Sequence, residues 1–331
     1  MIRLGKIISV AVALVTAATV TSASAQKAVR LGTSSIGSSF YVTAVGMSRL
    51  ILEHAKFNVT VEPVGGSAAN VFGIDAGRIE LAMSNSGTTF DAYHGKKPFK
   101  KKVKMRLMIS GNPTLRWFMV RKGSKITKPE DLVGKVVSSS RKPLPELQEI
   151  MNALIKVYRL PAAKIKQVGS VDSGEVARSF RAGSIDAASY PFAMKMPLAA
   201  KLFADNVIEP LILPDDKFQA VKSQLPDKFT VIRVPANNFQ NQPKAFNALA
   251  MTTQLVAIDK TSDETVYQVV KAVLGHHSEF VKYHATARDW TVENTLKNAK
   301  IPYHPGAIRY FKEVGKWTPE LEALQAKLLK G

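Results

Sequence analysis

The 331-residue chain contains no cysteine, which excludes disulfides, zinc–thiolate sites, a thiol nucleophile and lipid attachment at a leader cysteine. Little stability is forgone, because a chain of this length can bury a sizeable core without covalent ties. Long apolar runs are missing beyond the first twenty residues, so no membrane span is expected in the remainder. The signatures of two hydrolase classes are absent as well: there is no G-x-S-x-G elbow and no H-E-x-x-H. Carboxylates are scarce beside cations, 26 Asp and Glu against 46 Lys and Arg, giving a net charge of +20. That excess bears on solubility and steering rather than on fold. Lys and Arg are scattered and form no RNA- or DNA-binding motif, so nucleic acid is not an expected partner. The tightest basic run, Lys96 to Lys104, reads as a solvated loop.

What is present begins with a leader. Arg3 and Lys6 precede the apolar stretch Ile7 to Val20, and Ala23-Ser24-Ala25 supplies an A-x-A cleavage site. Residues 1–25 therefore read as a signal peptide cleaved after Ala25, and the mature chain, at net charge +18 once Arg3 and Lys6 are gone, is expected in the periplasm.

The stretch Leu31-Gly-Thr-Ser-Ser-Ile-Gly-Ser-Ser-Phe-Tyr41 follows a short apolar run and precedes residues with apolar positions at helical spacing, which predicts strand, small-residue loop and helix. Such a loop offers backbone N–H groups, serine hydroxyls and the positive end of a helix dipole to an anion. Ser38-Ser39 stands where a P-loop needs Lys-Ser/Thr, so nucleotide binding is not expected. An ordinary βα turn is the plain alternative. A second Gly/Ser loop, Gly65-Gly66-Ser67, leads into a helix stopped by Gly77, and the strand Ile79 to Met83 ends at Ser84-Asn85-Ser86.

This unit is repeated. Ala76-Gly-Arg-Ile-Glu-Leu-Ala-Met-Ser84 reads against Ala182-Gly-Ser-Ile-Asp-Ala-Ala-Ser-Tyr190, each after a short helix with a serine near its start, Ser67 and Ser173. The pattern predicts two α/β lobes of like construction whose polar strand ends meet at a ligand cleft. Turn-rich Ser110 to Thr114 suits a crossing between them, and Asn237 to Gln242 suits the return. The expected division is 26–113 with 238–331 for the first lobe and 114–237 for the second. Ser138-Ser-Ser-Arg-Lys-Pro143, ahead of a strongly amphipathic helix, is the second lobe's counterpart of the opening loop, with Arg141 and Lys142 added. These two cations either clamp an anion or sit exposed in solvent. His276, His277, Glu279 and His284 match no zincin spacing and lack a third convergent ligand, so neither metal nor cofactor is expected.

The closing stretch Ile301-Pro-Tyr-His-Pro-Gly-Ala-Ile-Arg-Tyr-Phe-Lys-Glu-Val-Gly315 closely resembles the C-terminal signature of the TAXI family, the solute-binding proteins associated with TRAP transporters. Gly32 to Tyr41, Gly65-Gly-Ser-Ala-Ala-Asn70, Asp131 to Val137 and Gly183 to Ala187 resemble the family's patterns too. The resemblance implies a two-lobed, type II periplasmic-binding-protein-like α/β fold that closes on a small carboxylate or amino acid, such as glutamate, 2-oxoglutarate or another dicarboxylate. It also implies a monomer that delivers this small anionic organic solute to the small and large TRAP membrane subunits. The ligand is then expected against Thr33, Ser34, Ser35, Ser38, Ser39, Phe40 and Tyr41 of the opening loop, against Gly66, Ser67 and Asn70, and against Asn85. Ser139, Arg141 and Tyr190 are the candidates from the second lobe, and Arg116 comes from the crossing. The family's second-lobe loop usually reads Gly-Ser-Gly-Thr, and here it has no glycine.

A transport receptor, an exported ligand sensor for a membrane signalling protein and an exported enzyme remain the three function classes. The enzyme is disfavoured because no nucleophile or acid/base set can be assembled. N-terminal sequencing of the exported protein is expected to start at Gln26 or within two residues of it; a membrane-bound form that retains Met1 would contradict the leader.

Overall fold

Residues 29–297 and 299–330 are described by the computed structural model, and the expected leader at 1–25 lies outside the described residues. The chain opens with β1 (Val29–Gly32), α1 (Ser39–Leu50), β2 (Val59–Glu62), α2 (Ser67–Asp75), β3 (Leu81–Asn85) and α3 (Ser86–Tyr93). The 17-residue β4 (Met105–Arg121) leads into β5 (Val136–Ser140), α4 (Glu146–Tyr158), β6 (Lys166–Gly169), α5 (Ser173–Ala182) and β7 (Ala187–Phe192). Next come α6 (Pro197–Ala204), β8 (Ile208–Pro210), α7 (Asp215–Ser223), β9 (Thr230–Val234) and the returning β10 (Phe246–Ile258). The chain closes with α8 (Asp263–Gly275), α9 (His277–Tyr283), α10 (Val292–Leu296), α11 (Pro305–Glu313) and α12 (Pro319–Lys330).

β4 and β10 run antiparallel through both halves of the sheet, whose order is β2-β1-β3-β10-β4-β7-β5-β6. In the first half, parallel β2, β1 and β3 are followed by antiparallel β10 and then β4. In the second, parallel β6, β5 and β7 are followed by antiparallel β4 and then β10. The two halves therefore repeat one topology with the long strands exchanging places. The expected repeat lies within this symmetry: α2, Gly77 and β3 correspond to α5, Gly183 and β7. Gly77 (φ 68°) and Gly183 (φ 69°) both take the left-handed conformation that ends a helix at little cost only with glycine.

Two apolar cores form on either side of the crossing. One gathers Leu31, Met47, Leu81, Met83, Leu107, Leu255, Val270 and Tyr303, and the other Trp117, Phe118, Met151, Phe180, Ala188, Phe218 and Phe246. The change of core falls between Ile109 and Leu115 in β4 and between Met251 and Leu255 in β10. Phe239 and Phe246 to Met251 thus pack with the second core, later along the chain than the return suggested by Asn237 to Gln242. The segment Ser110 to Thr114 is a continuous strand and not a turn. Its Pro113 lies opposite Thr252, beside a register shift where a missing N–H is tolerated. Among the described residues no helix is long and apolar enough to cross a membrane.

The C-terminal segment clasps the crossing. Trp290 is fully buried and donates its Nε1–H to Asn112 Oδ1 at 3.0 Å, and the Ser110 N–H donates to Thr295 Oγ1 at 3.0 Å. Gly111 has no room for a side chain, since a Cβ there would lie 2.1 Å from the Trp290 ring. Gly111→Ala is therefore expected to destabilise by roughly 1–3 kcal/mol through overpacking, read as a lowered urea midpoint. An unchanged midpoint would mean that Trp290 swings aside freely.

Candidate functional site

The N-termini of α1 and α5 approach each other across the gap between the two halves. Ser38 caps α1 by accepting the Tyr41 N–H at 3.2 Å, and Asp172 caps α5 by accepting the Glu175 N–H at 2.7 Å. Before α2, Gly65 (φ 136°) and Gly66 (φ 128°) hold conformations that residues with a Cβ rarely adopt, and they bring backbone close to Leu144, Ser34 and Arg141. Between these ends lies a narrow cleft open to solvent. Ser34, Ser38, Ser39, Thr114, Arg116 and Ser173 form its polar lining, and Phe40, Gly66, Leu144, Pro191, Phe192 and Met196 the rest. Small, mostly apolar clefts with a few placed polar groups are where small molecules bind.

Two buried arginines stand at this cleft in opposite circumstances. Every nitrogen of Arg116 has a partner: Nε and Nη2 donate to Glu146 Oε1 at 3.1 and 2.9 Å, and Nη1 to Thr114 Oγ1 at 2.7 Å and the Leu115 carbonyl at 2.9 Å. Glu146 is only 2% exposed, so the pair satisfies itself out of water. Arg141, 3% exposed, donates to Ser173 Oγ at 3.0 Å, Ser34 Oγ at 3.2 Å and the Gly65 carbonyl at 2.5 Å, all neutral acceptors. Its Nε is buried without a partner. Among the described residues no carboxylate lies within 4.0 Å of it. Burial pushes the Arg141 guanidinium down from 12.5 to about 10, with Asp172 opposing and Arg116 adding to the drop. The group is still charged at pH 7.

The candidates from sequence are distributed as follows. Ser34, Ser38, Ser39, Phe40, Gly66 and Arg116 line the cleft, and Arg141 binds to its wall. Ser35 Oγ accepts the Ser173 N–H at 3.3 Å, joining the two halves beside it. Thr33 is spent on backbone, its Oγ1 donating to the Glu62 carbonyl at 3.0 Å. Asn70 fixes α2 to β3 through Nδ2 and the Met83 carbonyl at 2.7 Å, and Ser67 accepts from Asn85 Nδ2 at 2.9 Å. Asn85 also caps α3 by accepting the Thr88 N–H at 2.8 Å. Ser139 donates to Gln167 at 2.9 Å and Gln148 at 3.2 Å, and neither it nor Tyr41 is among the lining residues. Tyr190 is fully buried with an unpartnered hydroxyl, and burial raises its phenol above the ordinary value, so it stays neutral. Ser173, Thr114, Leu144, Pro191, Phe192 and Met196 are lining residues that sequence reasoning did not select. The serine repeat Ser67/Ser173 was the available signal for one of them.

The model of the NMT1-like family matches residues 31–315. The chain belongs to the NMT1-like family. Solved structures share its two-lobed fold. Similar to it are the periplasmic binding protein BugD (10% identity, TM-score 0.58, 91% of this chain and 97% of that one) and MatC from Rhodopseudomonas palustris with bound malate (11%, 0.55, 88% and 97%). A structure described as a periplasmic transporter matches at 14% identity and TM-score 0.51 over 93% and 98% of the two chains. This member of the NMT1-like family therefore has a mixed α/β, two-lobed periplasmic-binding-protein fold, with the cleft between its lobes.

Glu146→Ala is expected to cost roughly 3–5 kcal/mol in urea unfolding, because it strands Arg116 as a buried unpaired charge. Converting the pair to Arg116→Met with Glu146→Leu should restore most of the loss; a double variant as unstable as the single one would refute this account.

Proposed function

We propose that this chain is a periplasmic solute receptor that captures a small organic anion bearing a carboxylate. The observation that carries this is Arg141: a charged guanidinium, buried at the cleft wall, with only neutral partners. A drop from 12.5 to about 10 amounts to a penalty of about 3 kcal/mol for holding that charge in place at neutral pH. An incoming carboxylate relieves it. Ser34, Ser38, Ser39 and Ser173, with the N-terminal ends of α1 and α5, supply hydrogen bonds, and Phe40, Leu144, Phe192 and Met196 cover a short carbon skeleton. The malate in MatC is of the same ligand class.

The lobes divide at the core changeover inside β4 and β10 and close about it. For the finer assignment, the resemblance of Ile301 to Gly315 and of the Gly/Ser loops to the TAXI pattern supports delivery to TRAP membrane subunits, and the leader at 1–25 supports export.

Native mass spectrometry of gently purified protein, followed by calorimetry with a panel of small mono- and dicarboxylates, identifies the anion. Against the best of them Arg141→Met is expected to lose about ten- to a hundredfold in affinity, the worth of one charge-assisted bond. Its unfolding midpoint should stay within about 1 kcal/mol of the parent or rise, because the change removes a buried unpaired charge. Unchanged affinity would mean that Arg141 does not hold the ligand.

A further inference from the structure

The histidines near the C-terminal end of α8 acquire a partner that their spacing does not reveal. His54 lies in a π-helical turn, Ile51–Ala55, that continues α1, and it stacks on His276 with ring centroids 3.4 Å apart and planes 6° from parallel. Glu279, in the first turn of α9, brings Oε2 to 3.0 Å from His54 Nε2. One ligand atom from each of the three lies within 4.8 Å of the others, and all three residues are half-buried.

We propose that His54, His276 and Glu279 form a binding site for a divalent first-row transition metal, zinc above all. Two imidazoles and a carboxylate are a donor set that suits zinc and leaves a fourth position to water. The His276 Nδ1 faces the Ala272 carbonyl at 3.1 Å. A carbonyl can only accept, so Nδ1 carries the hydrogen and, in the neutral ring, Nε2 keeps its lone pair, with the carbonyl fixing the ring's orientation as it does for metal-bound histidines. The contact between His54 and Glu279 already brings an imidazole nitrogen and a carboxylate oxygen together. Binding would exchange this contact for two metal bonds, releasing any proton on His54 Nε2 and tilting the stacked rings to converge at about 2 Å from the ion. The ligands come from the end of α1 and the α8–α9 junction, so the ion ties together two segments distant in sequence. Ser38 and Ser39 mark the other end of α1, roughly 20 Å away at 1.5 Å per residue, which separates this site from the anion cleft. His277 and His284 are engaged elsewhere, with the Ala287 carbonyl and Thr286 respectively.

The full exported chain, stripped with a chelator, should take up one equivalent of zinc in calorimetry, with a rise in thermal midpoint. Cobalt should give the visible absorption of a four-coordinate N/O site. His54→Ala and His276→Ala should each weaken zinc at least tenfold and abolish the thermal rise, and His277→Ala should change neither. Glu279→Gln, which keeps the residue's size, should also weaken binding if either alanine variant folds poorly. Absence of saturable one-to-one binding, or full affinity in both His54→Ala and Glu279→Gln, would overturn the site.

Discussion

The antiparallel pairing of β4 with β10 is the contact on which the other elements depend. Each half contributes three parallel strands, and each set of three is completed by the same two long strands in opposite order. One hydrogen-bonded ladder therefore belongs to both halves of the sheet at once, and neither core can form around its own segment alone. The arrangement forces Gly111, Asn112 and Pro113 into the middle of a strand, where glycine and proline are poor choices. Register shifts in β10 absorb the irregularity, and Trp290 and Thr295 clamp it from outside.

The electrostatics of the cleft follow from a shortage of carboxylates. Arg116 and Arg141 each feel the other's charge, yet of the two only Arg116 is paired with Glu146, which also accepts from Asn85 Nδ2 at 3.4 Å. The neutralised arginine is part of the architecture: it joins β4 to the first turn of α4. The other is held by Ser34, Ser173 and a carbonyl of the Gly65-Gly66 turn, groups drawn from both lobes. A folded state that keeps a desolvated cation among neutral acceptors gives up stability at that point, as binding sites commonly do.

Much of the architecture was legible in the sequence because it is written in local rules. Gly77 and Gly183 stop helices that feed strands, as the glycine pattern of the chain predicts. What local rules do not carry is the partner of a side chain. Among Ser138, Ser139 and Ser140 the strand's period of two decides which side each faces, and Ser139 turns to Gln148 and Gln167. Arg116 looked free because Glu146 is thirty residues away and opens a helix. Asn70 looked like a ligand donor because its role, reaching the Met83 carbonyl, needs the packed α2–β3 pair. His54 lies more than two hundred residues from His276, beyond any spacing rule.

On the proposed reading, charge governs closure more than shape does. Apart from the bonds of Arg141 to Ser34 and the Gly65 carbonyl and of Asn85 to Glu146, the contacts that bridge the lobes are modest: Lys228 to Asp91 at 3.3 Å, the Ala68 N–H to the Pro143 carbonyl at 3.2 Å, and the Ser173 N–H to Ser35. Partly exposed pairs and single neutral hydrogen bonds of this kind contribute about 1 kcal/mol each or less. Against them stands the uncompensated charge of Arg141, lowered in pKa chiefly by burial, which an anion sharing the cavity would compensate. A ligand that compensates it favours the closed form, whereas a neutral molecule of the same outline leaves the charge unmet. Discrimination for a negative charge thus arises from the folded chain's own unmet electrostatic need, and the serines and aromatic walls are left to select among anions.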